Sequence, residues 1–169
     1  MSILFVIGRI AVVLIFVISG ALKLMDIPGT AAVIAAKVPI PALFADLVAQ
    51  VETAAGMKAP QLMAIATGVI EVAGGLLIAA NFGTRGAALA LLLLTAAATF
   101  YFHDFWNMAG DARAQNLIHV EKNLSIMGAL LMLFVLGSYR PMAAADANQN
   151  QIYARFNRDD PGSPLARGD

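Results

Sequence analysis

Four stretches of this chain are apolar over a length that can cross a lipid bilayer. They cover residues 3–25, 61–80, 85–102 and 117–139, and all 7 prolines lie outside them. A transmembrane helix needs roughly 20 consecutive, predominantly apolar residues, and each stretch meets or approaches that length. The pattern predicts an all-α membrane protein in which four transmembrane helices form one bundle, within a domain at residues 1–140.

The connection between the first two stretches has a different pattern. Residues 26–60 are punctuated by prolines and glycines, so no uninterrupted span fits there. From Pro41 to Ala55, one side of a helix would carry an apolar stripe of Leu43, Phe44, Leu47, Val48 and Val51. This predicts an amphipathic helix that lies in the membrane interface or packs on the rim of the bundle. Residues 107–116, before the fourth stretch, predict a polar loop.

The chain becomes polar again at residues 141–169, where Asn, Gln, Asp and Arg are frequent. Such a composition rarely folds alone. Within this tail, Ile152, Tyr153 and Phe156 form a short apolar and aromatic cluster. That cluster predicts either a segment that orders on docking to a protein partner or a free, flexible end. Protein partners are therefore expected through the tail and the amphipathic helix.

The amino-acid composition excludes several classes of protein. Hydrophobic residues make up 60% of the 169, charged residues 13%, and the mean hydropathy is +0.76, which is typical of a polytopic membrane protein in contact with lipid. The formal net charge is zero, so the basic surface of a nucleic-acid-binding protein is missing. Cysteine is absent, which excludes disulfides and thiolate metal sites within this chain. Redox chemistry would need a bound cofactor.

One charge, Glu71, interrupts the second stretch near its middle. A carboxylate near the bilayer centre costs about 2.5–3.5 kcal/mol on insertion scales, so it is expected to face protein. Its neighbours on one helical face are Ala64, Thr67, Gly68, Gly74, Gly75 and Ile78. Arg9 in the first stretch shares a face with Lys23, and counting 1.5 Å per residue from the helix ends puts Arg9 and Glu71 at similar depths. We predict a buried Arg9–Glu71 ion pair; alternatively, Arg9 snorkels to the interface while hydroxyls or backbone groups hold Glu71.

A second group of polar residues converges at the opposite end of the predicted bundle. Its members are Lys23, His103, Trp106, Lys122 and Asn123. The lysines, the amide and the imidazole can donate hydrogen bonds to the two carbonyl oxygens of a quinone, and Trp106 or Tyr101 can supply a flat wall. The sequence therefore predicts a candidate quinone site.

Other interpretations of this second group stay open. Cations, amides and aromatic residues are common at membrane interfaces, and Lys122 can pair with Asp104 or Glu121. His103 and His119 could also act as two axial ligands of a haem, or be ordinary interfacial histidines. No metal site, intrinsic cofactor or catalytic residue is assigned.

Five short motifs follow one another along residues 5–138. They are Arg9 followed by Ser19-Gly20-Ala21-Leu22-Lys23-Leu24, then Glu71-Val72-Ala73-Gly74-Gly75-Leu76-Leu77, then Gly83-Thr84-Arg85, then Phe102-His103-Asp104-Phe105-Trp106, and finally Lys122-Asn123-Leu124-Ser125-Ile126-Met127-Gly128-Ala129-Leu130-Leu131. In this order they resemble the DoxX family of small, four-helix bacterial membrane proteins. Glu71 rather than Glu52 carries the family's Gly-Gly match, so residues 42–58 resemble an insertion.

The resemblance implies a function linked to membrane-bound oxidoreductase systems, which in this family include a thiosulfate:quinone oxidoreductase subunit. We expect an integral membrane subunit that anchors or organises a protein complex. A quinone-linked oxidoreductase component and a carrier of small solutes or lipids are the alternatives. The resemblance also implies a multi-pass protein of the bacterial inner membrane with both termini in the cytoplasm. The lysine and arginine counts on the two sides are nearly equal, so the orientation rests on the resemblance and not on the charges.

Overall fold

The structure, a computed structural model, describes residues 3–137 and 149–156. Six α-helices make up the first of these ranges: α1 (Ile3–Met25), α2 (Ile27–Lys37), α3 (Ala45–Ala55), α4 (Ala59–Ala79), α5 (Thr84–Phe102) and α6 (Gly110–Leu136). Short 3₁₀-helices at Ala42–Phe44 and Phe105–Asn107 precede α3 and α6. The four longest helices, α1, α4, α5 and α6, are each long and apolar enough to span a membrane. The predicted all-α bundle with four membrane helices is confirmed.

The fourth membrane helix begins earlier than the sequence predicts. Residues 110–116 were assigned to a polar loop, but α6 begins at Gly110 and is 27 residues long. Hydropathy marks the part of a helix that lies in lipid, whereas helix propensity and the favourable placement of Asp111 in the first turn extend the helix beyond that part. At its other end α6 stops at Leu136, where Gly137 takes a positive φ of 65° and its N–H donates to the carbonyl of Leu133.

Helix α2 was not predicted at all. The prolines and glycines of residues 26–60 were read as interruptions, yet Pro28 lies in the first turn of α2, where proline is favoured because no N–H is needed there. Asp26 caps this turn, since its carboxylate accepts a hydrogen bond from Gly29 N at 2.9 Å. Ala31 and Ile34 of α2 are buried against Ala64 of α4. α2 therefore adds a wall to one end of the bundle.

The tightest helix contact joins α1 and α4, which run antiparallel. A Cβ atom added to Gly20 would lie 2.7 Å from the carbonyl oxygen of Gly68, and one added to Gly75 would lie 2.7 Å from Val17 Cγ2. Small residues let two membrane helices approach this closely. The face predicted for α4 is confirmed, because its buried residues are Ala59, Ala64, Gly68, Glu71, Gly74, Gly75 and Ile78.

One apolar core joins all four membrane helices in the half of the bundle where α1 begins and α4 ends. Its buried members are Val13, Phe16, Ile78, Ala87, Ala88, Leu91, Leu130 and Leu133. α5 packs mainly on α6 and also on α4, while α1 packs mainly on α4. The bundle is therefore least tightly closed between α1 and α6.

Helix α3 lies beside this bundle and buries none of its residues. The apolar stripe predicted for it is exposed at Leu43, Phe44, Leu47 and Val51. Glu52 attaches it to α4, because one carboxylate oxygen accepts from Ala59 N at 2.8 Å and the other lies 3.1 Å from Lys58 Nζ. Of the predicted tail, residues 149–156 form a short helix of about two turns, in which Ile152, Tyr153 and Phe156 are exposed. The rest of the tail lies outside the described residues.

Candidate functional site

A cavity of about 640 Å³ lies between α1, α2, α4, α5 and α6. Most of its wall is apolar or aromatic, including Phe16, Ile34, Met63, Tyr101 and Phe102. Its polar lining residues are Ser19, Lys23, Thr30, Thr67, Glu71, Thr95, His103, Lys122 and Asn123. Four of the five residues predicted for the second polar group thus meet at one cavity. Its size and composition are those of a site for a small organic ligand.

Glu71 forms an ion pair with Lys23 in this cavity. Lys23 Nζ lies 2.6 Å from each carboxylate oxygen of Glu71 and donates a further hydrogen bond to Ser19 Oγ at 2.8 Å. The Glu71 side chain is 9% exposed and that of Lys23 is 29% exposed, so the lysine is the more accessible partner. Because an ammonium group has three N–H donors, these contacts occupy Lys23 fully. Lys23 therefore holds Glu71 in place rather than offering a donor to a ligand.

The predicted pair between Arg9 and Glu71 is wrong. Arg9 is buried at the other end of α4, where its guanidinium donates to Asn81 Oδ1 at 2.5 Å and to the carbonyl oxygen of Ala79 at 3.1 Å. The register of α1 on α4 puts Arg9 level with Ala79, which is eight residues, or about 12 Å, from Glu71. The prediction assumed that the two helices end at the same depth, and they do not.

Arg9 nevertheless occupies a position that suits a cation. The carbonyl of Ala79 belongs to the last turn of α4, and the C-terminal end of a helix carries a partial negative charge. The ring of Phe5 lies 5.8 Å from the guanidinium carbon, which adds a cation–π contact. The alternative prediction is wrong for Glu71, which pairs with Lys23 and not with hydroxyl or backbone groups, whereas the Arg9 guanidinium does reach the turn that follows α4.

Asn123 supplies an oriented amide on the α6 side of the cavity. Its Nδ2 donates to Thr99 Oγ1 at 2.9 Å, and the Thr99 hydroxyl in turn donates to the carbonyl of Thr95 at 2.7 Å. This chain of hydrogen bonds fixes the direction of the amide. A carboxamide has two N–H donors, and the bond to Thr99 uses one of them. Asn123 can therefore donate its second N–H to a carbonyl oxygen in the cavity.

His103 connects the cavity to the polar end of α6. Its Nδ1 lies 3.1 Å from Asn116 Oδ1, so this nitrogen carries the proton and Nε2 is an acceptor in the neutral ring. The ring stacks on that of His119, with 4.9 Å between centroids and an angle of 15° between planes. Two rings in such contact leave no space for a macrocycle between them, so a bis-histidine haem would require both side chains to move.

Trp106 differs from its predicted position, whereas Lys122 lies at the cavity with the other predicted residues. Lys122 lines the cavity, but its Nζ lies 3.4 Å from His119 Nδ1, while Asp104 pairs with Lys37 at 3.2 Å. Trp106 does not line the cavity. Its ring packs at the end of α5, 5.9 Å from that of Phe100 and 5.3 Å from that of Phe105, as expected for an interfacial aromatic cluster. Tyr101 is the aromatic residue of the predicted wall that lies at the cavity.

Sequence reasoning missed the α2 wall of the cavity, which consists of Thr30, Val33, Ile34 and Val38. The signal for α2 was present, because an aspartate two residues before a proline is a common start of a helix. With this wall, the cavity offers an anchored carboxylate, a directed amide and an imidazole inside an apolar enclosure. Such a set can bind a molecule with a small polar head and an apolar body.

The comparisons with known proteins agree with this architecture. The DoxX family model matches residues 4–104. Among curated proteins, the chain is 36% identical over 135 residues to the "Inner membrane protein YphA" of Escherichia coli (strain K12), a match that covers 80% of this chain and 84% of that protein. No solved structure matches. Because the family match covers more than half of the residues and this relative is similar over most of its length, the chain belongs to the DoxX family of integral membrane proteins.

Proposed function

We propose that this chain is a quinone-binding component of an oxidoreductase system in the bacterial inner membrane. The observation that carries the proposal is the cavity of about 640 Å³, in which Glu71, Asn123 and His103 face walls that are otherwise mostly apolar. A quinone ring needs flat apolar walls, and its two oxygens need polar partners. The name of the relative in Escherichia coli supports the inner-membrane location.

The polar groups suit both redox forms of a quinone. The second N–H of Asn123 donates to a carbonyl oxygen of the oxidised ring. A carboxylate and an unprotonated imidazole nitrogen accept hydrogen bonds, so Glu71 and His103 Nε2 suit the hydroxyl groups of the reduced ring. Lys23 contributes indirectly, because its three hydrogen bonds hold the Glu71 carboxylate at the cavity wall.

Quinone binding to the purified protein tests this function. We expect a quinone to copurify in mild detergent, as identified by mass spectrometry, and added quinone to bind saturably. Asn123→Ala removes one hydrogen bond to the ring and should weaken binding about tenfold, which corresponds to about 1.4 kcal/mol. Trp106→Ala is the matched control, since Trp106 lies at the same end of the bundle but outside the cavity. The function is wrong if the parent binds no quinone, or if both variants bind like the parent.

A second role, as a membrane anchor for a protein complex, is favoured by α3. Leu47 and Val51 of α3, with Leu43 and Phe44 of the 3₁₀-helix before it, form an exposed stripe outside the four membrane helices, where it can contact either lipid or a partner protein. Leu47→Glu should remove any partner that a mild-detergent purification of the parent retains. An unchanged set of copurifying proteins would assign the stripe to lipid instead.

The orientation we propose puts both termini in the cytoplasm. Because the four membrane helices cross the membrane an even number of times, the first and the last residues of the bundle domain lie on the same side of the membrane. α2, α3 and the cavity then lie toward the periplasm, and the short turn between α4 and α5 lies toward the cytoplasm.

A further inference from the structure

A groove on the outer face of α1 adjoins the cavity. The groove has a volume of about 670 Å³ and shares four lining residues with the cavity. The shared residues are Ile15, Ser19, Lys23 and Thr30. The two spaces therefore lie on either side of these residues, where α1 faces the start of α2, beside the ion pair.

The groove changes from apolar to polar along α1. Ala11, Leu14, Ile18 and Leu22 line it, and the last three are 53%, 52% and 61% exposed. Ala11 to Leu22 spans eleven residues, or about 17 Å of helix. The polar residues Ser19, Lys23 and Asp26 lie at the end that adjoins the cavity. The groove is thus apolar along most of its length and polar at one end, as is an amphiphile with an apolar chain and a polar head.

We propose that this groove holds the apolar chain of the ligand whose head group lies in the cavity. The ligand class is thus a long-chain amphiphile that stays dissolved in the membrane and enters sideways, past Ile15 and Thr30. This inference rests on the proposed quinone function and adds to it the path of entry and the position of the chain. A chain that remains in contact with lipid never has to enter water, so lateral entry avoids exposing apolar surface.

The position of the groove beside the cavity favours this occupant over an ordinary phospholipid. A phospholipid chain in the groove would bring a charged head beside Ser19 and Thr30, where the lysine at hand, Lys23, is already paired with Glu71; the other lysine of the cavity, Lys122, lies on the α6 wall. A neutral head with hydrogen-bonding oxygens enters at a lower desolvation cost.

Blocking the groove without touching the cavity tests the inference. Ile18 lines the groove but not the cavity and points outward, so Ile18→Trp fills the groove and leaves the fold intact. Ile7→Trp is the matched control, because Ile7 is 56% exposed on the same helix and lines neither space. The two probes are decylubiquinone and the same dimethoxy-methyl-benzoquinone ring without its chain. Variants are compared with one probe at a time, because partitioning of that probe into the micelle is then the same for every variant.

We expect Ile18→Trp to weaken decylubiquinone binding about tenfold or more while leaving binding of the bare ring unchanged, and Ile7→Trp to change neither. The inference is overturned if Ile18→Trp leaves decylubiquinone binding at the parent level, in which case an ordinary lipid occupies the groove. It is also overturned if the variant weakens both probes equally, since the effect is then on the cavity. Failure of the proposed function is recognised separately, because the parent would then bind neither probe.

Discussion

At the scale of single residues, the two buried charges of the membrane helices are stabilised in different ways. Glu71 has an ion pair with Lys23, whereas Arg9 lies against the last turn of α4 and the Asn81 side chain. Both arrangements avoid an uncompensated charge in the membrane, which is costly because no water is available to solvate it. The difference predicts which substitutions are energetically coupled.

Double-mutant cycles measure this coupling. Lys23→Met or Glu71→Gln alone should lower the free energy of unfolding by about 3 kcal/mol, the lower end of the range for a buried pair because Lys23 is partly exposed. The double variant should lose less than the sum of the two by about 0.5–3 kcal/mol, since neither charge is then left alone. Unfolding in detergent micelles followed by circular dichroism gives the values.

The Arg9–Glu71 cycle is the control for that measurement. Arg9→Met and Glu71→Gln act on groups about 12 Å apart along α4 and should be additive within about 0.5 kcal/mol. Strong coupling in this cycle, with none between Lys23 and Glu71, would contradict the ion pair seen in the structure.

The sequence was enough to predict that Glu71 faces protein, but not which cation it meets. The small residues around Glu71 and the shared face of Arg9 and Lys23 follow from helical periodicity, and both faces are observed. The choice between the two cations depends on how far α1 is shifted along α4. That shift is set by contacts such as Gly20 with Gly68, which hydropathy does not encode.

At the scale of helices, the contact between α1 and α4 depends on the absence of a side chain at Gly20. Gly20→Ala would put a Cβ atom 2.7 Å from the Gly68 carbonyl oxygen and 2.8 Å from Glu71 Cβ, so the helices must separate. We expect the free energy of unfolding to fall by about 1–3 kcal/mol, as in other overpacked interiors.

Gly8→Ala is the matched substitution on the same helix. A Cβ atom at Gly8 meets nothing within 4 Å, so this change should be neutral or stabilising by up to about 1 kcal/mol through helix propensity. Equal effects of the two substitutions in a thermal unfolding assay would show that the close approach of α1 and α4 does not limit stability.

The junction of α3 and α4 predicts a dependence on pH. The hydrogen bond from Ala59 N, and then that from Lys58, lower the pKa of the Glu52 carboxyl group from its ordinary value of 4.5. A carboxyl group whose pKa is lower in the folded state contributes stability above its unfolded pKa, and loses that contribution as the pH falls through the folded pKa. The attachment of α3 to α4 should therefore persist at neutral pH and weaken only in acid, below pH 4.5.

The amide resonance of Ala59 reports this titration directly. Its chemical shift should move with a midpoint below 4.5, and the movement should vanish in Glu52→Gln, which keeps a hydrogen-bond acceptor but cannot ionise. A midpoint at or above the ordinary value would show that Glu52 does not cap α4 in solution.

The helices themselves were predicted with uneven success, for physical reasons. Spans of about 20 apolar residues identified α1, α4 and α5 nearly to the residue, because the membrane imposes that length. α2 and the start of α6 were missed, since both lie where the apolar pattern fades and caps or propensity decide. Because α2 was not predicted, the part of the cavity wall that it forms was not predicted either. The polar residues Lys23, His103, Lys122 and Asn123 were nevertheless correctly grouped.

At the scale of the whole molecule, the two ends of the bundle differ in structure and in charge. One end has the short turn between α4 and α5, and there the buried Arg9 contacts Asn81. The other end carries α2, α3 and three lysines that each have a carboxylate partner: Lys23, Lys37 and Lys58. Thr30, His103 and Lys122 of the cavity lining lie toward this second end, so the orientation decides which compartment is nearer to the cavity.

The orientation can be tested with single cysteines, because the chain has none of its own. Met57 precedes α4 at the end that carries α3, and Phe82 lies in the turn between α4 and α5; they are 38% and 72% exposed. With both termini in the cytoplasm, a membrane-impermeant maleimide should label Met57→Cys in cells with a permeabilised outer membrane. Phe82→Cys should react only after the inner membrane is disrupted. The parent protein, which cannot react, gives the background, and the opposite order of labelling would place the cavity on the cytoplasmic side.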